Sequence, residues 1–407
     1  MTKAAALCLW LYCGIAFFDP SDMVLGVKLP LFAMAMILYL AARIRGKARA
    51  LPRDLLAATV MVSLAIPTFY LTVFLVRHPG GDIRGGLALA KGLLALMLVL
   101  PSVSLGIDLK KPVLFFCGLM IVSVIGLQAY SAMDGELFRK ISGFLTGHNM
   151  AMIGSRSFGE LDLAMIFFVT TPLLVVTVPF FAGEVLNPGK SLSVRLLSLL
   201  FLILVLLASF FSASRAVFLV LLAECLACYL IAVRRRAWLL LGGLTLTAAF
   251  ILIGSLALQR TGLFSTEEQS NSVKVAHYKS FREYIDQDPA VLLTGDGLGA
   301  VYLTRAPGIN REVFQTELTY LDMIRYFGLA GMLLFMLLLA VPFFKTTFDP
   351  LNLIGFLAYL AVAGSNPLLF NSTGMLAVAY FWSRQYRDKT TVPRLEAQAL
   401  KMPEGGL

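Results

Sequence analysis

The chain has 407 residues, 58% of them hydrophobic and 14% charged, with a mean hydropathy of +0.82 and a formal net charge of +10. A soluble domain carries about a quarter charged residues, so a water-soluble protein of two or three domains is excluded. The positive charge does not point to nucleic acid, because most basic residues mark the ends of apolar runs.

Those runs are about 20 residues long, the length that crosses a bilayer as a helix. Lipid offers the backbone no hydrogen-bond partner, so the spans are helices. They are predicted near residues 4–19, 24–42, 55–76, 87–107, 112–132, 161–183, 195–212, 215–233, 237–258, 318–344, 350–366 and 372–383. The fold class is therefore all-α, a polytopic transmembrane helical bundle of about 12 spans over residues 1–383. Met1-Thr2-Lys3 and the apolar run to Phe18 have the look of a signal peptide. No small-residue cleavage site precedes Asp19-Pro20, and the run is read as a retained first helix.

Orientation follows from the basic residues. One set of loops holds Lys3, the group from Arg43 to Arg53, Lys110 and Lys111, Lys190 and Arg195, Arg234 to Arg236, Lys345, and Arg384, Arg387, Lys389, Arg394 and Lys401. Together these are more than half of the Lys and Arg residues. The short loops on the other side hold fewer, among them Arg77, Arg84, Arg139, Lys140 and Arg156. Both termini are thus placed in the cytoplasm. The tail 384–407 is expected to be a loosely ordered extension.

Two outer loops have length, 133–160 and 259–317. The second is the only extended hydrophilic stretch. Within it, Lys274, His277, Tyr278 and Arg282 recur at three- and four-residue intervals, which on a helix share one face. Phe281, Tyr284 and Ile285 would form an apolar face, so a short amphipathic helix over the bundle is expected. Gly295-Asp296-Gly297-Leu298-Gly299 is neither a Walker motif nor a dinucleotide fingerprint and reads as a turn bringing the loop back across the bundle. Cys8, Cys13, Cys117, Cys225 and Cys228 all fall in predicted spans and read as small buried apolar residues. His148 and His277 lie too far from other ligand types to suggest a metal.

Several residues carry candidate chemistry. Arg215, where span seven turns into span eight, opens a helix whose N-terminus favours an anion, and Ser212 and Ser214 are candidate caps. Glu317 is the only acid from Val313 to Leu321, at the outer mouth of span ten. A carboxylate there is expected to be poorly solvated, a setting suited to a general base. Arg325, two turns on, either pairs with Asp322 or reaches a ligand. Lys28, Lys91 and Glu224 are the main charges in the inner halves of the spans.

The segments Ser272-Val273-Lys274-Val275-Ala276-His277-Tyr278, Asp288-Pro289, Gly295 to Gly299, and Thr316-Glu317-Leu318-Thr319-Tyr320 on to Gly331 resemble the signature region of O-antigen polymerases. These are the Wzy-type repeat-unit polymerases of the O-antigen ligase/polymerase superfamily. The resemblance covers residues 195–335 and extends further only by hydropathy. It implies a GT-C-like glycosyltransferase of the bacterial inner membrane, with one long periplasmic loop before the last three spans. It also implies donor and acceptor glycans linked to undecaprenyl pyrophosphate, inverting transfer without metal or cofactor, and a chain-length regulator as a partner. Under it Glu317 and Arg215 are catalytic, and Arg282, Lys274, His277, Tyr278, Arg156, Tyr320 and Arg325 bind the pyrophosphate or glycan. Glu317 stands where the related ligases carry a histidine, and no histidine lies in 278–407. That departure favours a polymerase. A ligase of the same superfamily, a flippase of lipid-linked oligosaccharides, and a non-catalytic assembly partner are the rival readings.

Overall fold

Apolar segments become helices here, and prolines decide where those helices deform. The computed structural model describes residues 2–131, 133, 135–158, 161–233, 269–306, 309–345 and 349–399. Helix α1 (Thr2–Phe18) pairs antiparallel with α2 (Lys28–Ile44). Helix α3 (Arg53–Arg77) widens to a π turn at Met61–Ala65, just before Pro67. Helix α4 (Arg84–Leu105) tightens to a 3₁₀ turn at Ala95–Leu98, just before Pro101. In each case proline removes a donor, and the preceding turn changes pitch. Helix α5 (Lys110–Ser131) and the amphipathic α6 (Gly135–Gly147) follow.

The next stretch corrects the sequence reading. Residues 161–183 do not form a single span. Strand β1 (Ala151–Phe158) pairs antiparallel with β2 (Leu161–Phe168), in register from Ala151 opposite Phe168 to Phe158 opposite Leu161. The chain then enters the bundle as α7 (Thr171–Leu186), whose first part is a buried 3₁₀ coil. A continuous apolar run does not distinguish a buried strand from a helix. Pro172 and Pro179 break the run into short pieces.

Helices α8 (Leu192–Phe211) and α9 (Arg215–Val233) are joined by a tight turn. The expected span at 237–258 lies outside the described residues. Helix α10 (Gln269–Gln287) is the amphipathic helix expected in the long loop, followed by the single turn α11 (Val291–Thr294) and a hairpin of β3 (Tyr302–Ala306) and β4 (Ile309–Val313). Helices α12 (Thr319–Lys345), α13 (Pro350–Ala363) and α14 (Ser372–Ala399) complete the order. Six helices among the described residues are long and apolar enough to cross a membrane: Arg53–Arg77, Arg84–Leu105, Lys110–Ser131, Leu192–Phe211, Arg215–Ala232 and Thr319–Phe344. Each coincides with a span expected from hydropathy. The apolar helices α1, α7 and α13 are shorter.

The core sits around α14. Met375 to Trp382 is buried on every face, and the Trp382 indole donates to the Leu339 carbonyl on α12 at 3.0 Å. Helix α14 runs on through the start of the tail expected from Arg384, as far as Ala399, and residues 400–407 lie outside the described residues. Arg384 pairs with Asp349 at 3.2 Å, Arg387 with Asp108 at 2.8 Å, and the Tyr386 hydroxyl donates to Asp54 at 2.7 Å. These contacts gather one set of helix ends. Lys28 to Ser372, Gln315 to Pro367 and Arg77 to Asp296 gather the opposite set. Lys28 therefore belongs to the same end as the long loop, not to an inner half.

Helix α12 is broken at Gly328, whose φ of 65° and ψ of 174° are not helical. The break frees the carbonyls just before it, and the glycine-rich turn meets them. The N–H of Asp296 donates to the Arg325 carbonyl at 2.7 Å, and that of Gly297 to the Tyr326 carbonyl at 3.1 Å. The Tyr70 hydroxyl donates to the Phe327 carbonyl at 2.8 Å, and the N–H of Leu298 donates to the Tyr70 carbonyl at 2.9 Å. Gly297 has φ of +96°, and a Cβ there would lie 2.3 Å from the Phe74 nitrogen, so only glycine fits. The expected turn across the bundle is thus woven into it.

Candidate functional site

The mouth of α12 is organised by a buried ion pair. Asp322 accepts from the Thr316 N–H at 2.6 Å and from its hydroxyl at 3.0 Å. Thr316 in turn accepts from the Leu318 N–H at 3.1 Å. These bonds fix the segment 316–318 just above the helix. Glu317 then projects outward, and its carboxylate lies 3.6 Å from the Lys274 ammonium on α10. The side chains are 45% and 30% exposed, respectively. The expectation of a poorly solvated Glu317 is corrected: the loop holds it at the surface beside a cation.

Helix α10 docks against β3 through His277, Ser280 and Phe281, all buried. The Thr304 hydroxyl and His277 Nδ1 are hydrogen-bonded at 3.0 Å, and the Arg305 N–H donates to the Ser280 hydroxyl at 3.2 Å. Burial lowers the His277 pKa, with Glu317 and Asp322 pulling the other way. His277 therefore serves the docking of the helix, and the shared cationic face expected from spacing is split. Lys274 flanks the docked side, whereas Tyr278 and Arg282 point to solvent. Among the described residues Arg282 makes a long pair with Asp286, at 3.9 Å.

Two assigned ligand contacts are corrected by the geometry. Arg325 is fully buried and pairs with Asp322 at 2.7 Å. Its guanidinium also donates to the carbonyls of Val313 at 3.0 Å and Phe314 at 2.6 Å, and packs against the rings of Tyr302 and Tyr326. It fastens the hairpin to α12 and is not open to a ligand. Tyr320 donates its hydroxyl to the Leu360 carbonyl at 2.6 Å and its ring lies against Gly364, so it joins α12 to α13.

Arg215 opens α9, half-buried, after Ala213 with a φ of 52°. The Ser212 hydroxyl donates back to the Ser209 carbonyl at 2.6 Å in the last turn of α8. Helix α9 packs against α7, α8 and α13. The structure thus brings Lys274, His277 and Glu317 together and sets Arg215 on a different helix pair. Arg156 stands in β1 opposite Leu163.

One cluster was missed from sequence. Asp296, 8% exposed, lies 3.1 Å from Arg77 and 2.9 Å from His78 Nε2, and accepts from the Tyr284 hydroxyl. Burial and the adjoining Asp296 push the Tyr284 phenol up. The available signal was the only carboxylate in the glycine turn, set against a span that ends in Arg77-His78. Among the described residues no group of His, Cys, Asp and Glu is arranged to hold a metal. Comparison with family models, characterised proteins and solved structures yields no match.

Proposed function

We propose that this protein joins oligosaccharide repeat units carried on undecaprenyl pyrophosphate, acting at the periplasmic face of the bacterial inner membrane as a GT-C-like polymerase with about 12 spans. The observation that carries the reading is the Lys274–Glu317 pair, 3.6 Å apart at the outer mouth of α12. In the proposed reaction an acceptor sugar hydroxyl attacks the donor's anomeric carbon. The new glycosidic C–O bond forms as the bond to pyrophosphate breaks, and pyrophosphate leaves with the electron pair. One such displacement inverts the anomeric centre. Glu317 takes the hydroxyl proton as general base. Lys274 faces both Glu317 and solvent, so an incoming phosphate competes with the carboxylate for it and frees Glu317 as it binds. Arg282 and Arg215 are further cations for the leaving group, acting in place of a metal. No cofactor is invoked, and a chain-length regulator is the expected protein partner.

One observation favours transport as a second reading. Glu224, midway along α9, is 2% exposed, and neither carboxylate oxygen has a hydrogen-bond partner among the described residues. A buried intramembrane carboxylate is a feature of proton-coupled carriers. Glycan analysis of a deletion strain separates the readings. Lipid A core capped with single repeats supports the polymerase. Uncapped core with periplasmic lipid-linked polymer indicates a ligase, and lipid-linked units held in the cytoplasm indicate a flippase.

A further inference from the structure

A cavity of about 280 Å³ opens at the outer end of the bundle, between α1, α2, α4 and the start of α14. Lys28, Lys91, Asp22, Phe32, Gln315 and Ser372 are among its walls. We propose that this cavity binds the phosphate or diphosphate headgroup of a lipid, with Lys28 and Lys91 holding the anion and the lipid chain leaving sideways between α2 and α4.

Four observations support the assignment. First, Lys91 interrupts the apolar run of α4 seven residues after Arg84, about 10 Å further along the helix. Its side chain is exposed, and it makes no ion pair among the described residues. An ammonium at that depth is costly unless something compensates it. Second, Lys28 is 4% exposed and held in place. Its Nζ donates to the Pro20 carbonyl at 2.6 Å and to the Ser372 hydroxyl at 3.3 Å. An ammonium has three donors, so one remains for a ligand. Third, the one carboxylate in the lining, Asp22, is turned toward backbone and accepts from the Lys28 N–H at 3.1 and 3.2 Å. Within the lining two ammonium groups face one carboxylate; Asp19, just outside it, is likewise occupied, accepting from the N–H groups of Met23, Val24 and Leu25.

The fourth observation is how the lysines are brought together. A Cβ on Gly92 would lie 2.0 Å from the Phe370 carbonyl oxygen. Helix α4 therefore presses directly on the backbone before α14, setting Lys91 beside Ser372 and hence Lys28. Helix α2 packs on the far half of α4, Ala95–Leu105, which leaves the outer ends apart as a lateral mouth. Leu29, about half exposed, is part of the wall. The volume is at the lower bound for ligand pockets, about 300 Å³. It suits a small charged headgroup and leaves no room for an oligosaccharide. Phe314 and Gln315 form part of the wall, and Glu317 follows two residues later. On the polymerase reading, which this part of the inference rests on, the cavity presents the lipid headgroup to that carboxylate.

The test uses the full chain in nanodiscs of neutral lipid. Binding of radiolabelled polyprenyl diphosphate is measured, together with acylation of Lys91 by an amine-reactive ester followed by mass spectrometry. Wild-type protein is expected to bind the lipid and to show Lys91 protected by it. Lys91→Gln, an exposed change that leaves the packing intact, is expected to lose about tenfold in affinity, the scale of one charge-assisted hydrogen bond. Lys91→Arg is expected to retain most of the binding. Inorganic diphosphate at the same concentration is expected to protect Lys91 weakly. Equal protection by both probes would overturn the lipid assignment in favour of the free anion. Equal lipid affinity of wild type and Lys91→Gln would overturn the site itself. If that occurs while Glu317→Gln still abolishes polymer, the polymerase reading survives alone. If binding is lost in Lys91→Gln but the deletion strain makes normal polymer, the cavity stands and the polymerase reading falls.

Discussion

Removing the Arg325 guanidinium is expected to undo the mouth of α12 beside the long loop rather than to weaken substrate binding. In Arg325→Ala, Asp322 would stay buried at 2% side-chain exposure without its cation. Breaking a buried pair by deleting one partner costs about 3–5 kcal/mol. Asp322 keeps its two Thr316 donors, which puts the cost near the lower figure. The carbonyls of Val313 and Phe314 also lose charged donors, but Phe314 is 40% exposed and water can replace the arginine there. That adds about 1 kcal/mol. The sum, about 4 kcal/mol, lowers the folded-to-unfolded ratio about 10³-fold. Size-exclusion profiles and thermal unfolding of detergent-purified protein would read this as a smaller folded fraction and an earlier transition. Because uncharged replacements of a buried pair are often neutral, Asp322→Asn with Arg325→Met should recover at least half of the loss. An unchanged transition in Arg325→Ala, with glycan transfer lost, would refute the structural role and return Arg325 to the ligand site.

Three further outcomes are expected. Glu317→Gln keeps volume but not proton acceptance, and turnover should fall about 10²-fold or more; near-normal polymer at matched expression would remove Glu317 from the mechanism. His277 has a lowered pKa in the folded protein, so the unfolded chain takes up the proton first. The docking of α10 is then fully stable above about pH 6.5 and weakens as pH falls below it. Limited proteolysis at pH 7.5 and 5.5 should show that loss in wild type and much less of it in His277→Gln. Gly297→Ala should sharply reduce folded protein, since its Cβ would meet the α3 backbone. Gly26→Ala, at φ +63° with nothing within 4 Å, meets only the left-handed backbone strain of about 1–2 kcal/mol and should lose much less in the same abundance assay.

Much of the membrane architecture was legible because hydropathy and helix length report the same constraint, the satisfaction of backbone groups in lipid. It failed at 161–183, where pairing between β1 and β2 satisfies the backbone by another route. Around Arg384 the sequence showed polar residues and prolines but not the partners Asp349 and Asp108, which come from other parts of the chain. At the site, the Asp322–Arg325 spacing was visible in sequence, as one of two alternatives. What decided between them, the carbonyls of Val313 and Phe314, belongs to a hairpin that periodicity did not reveal. The same hairpin turned His277 inward and left Tyr278 and Arg282 outside. Lys28 was misplaced because a lysine at a helix end and one within a span look alike until the neighbouring ends are paired.

The glycine turn at 295–299 sets an order of assembly. It bonds to Tyr70 on α3 and to Arg325 and Tyr326 on α12, and a Cβ on Gly299 would strike Gly86 on α4. During synthesis α3 and α4 are made long before the turn exists, and the turn before α12. The adjoining ends of α3 and α4, linked to each other by residues 78–83, must therefore wait for their contact with the turn until the helix that follows the loop has formed. Only then can the turn lock onto the carbonyls freed by the break at Gly328. A ribosome stalled before residue 328 would leave the bundle unfastened at the end where the turn belongs.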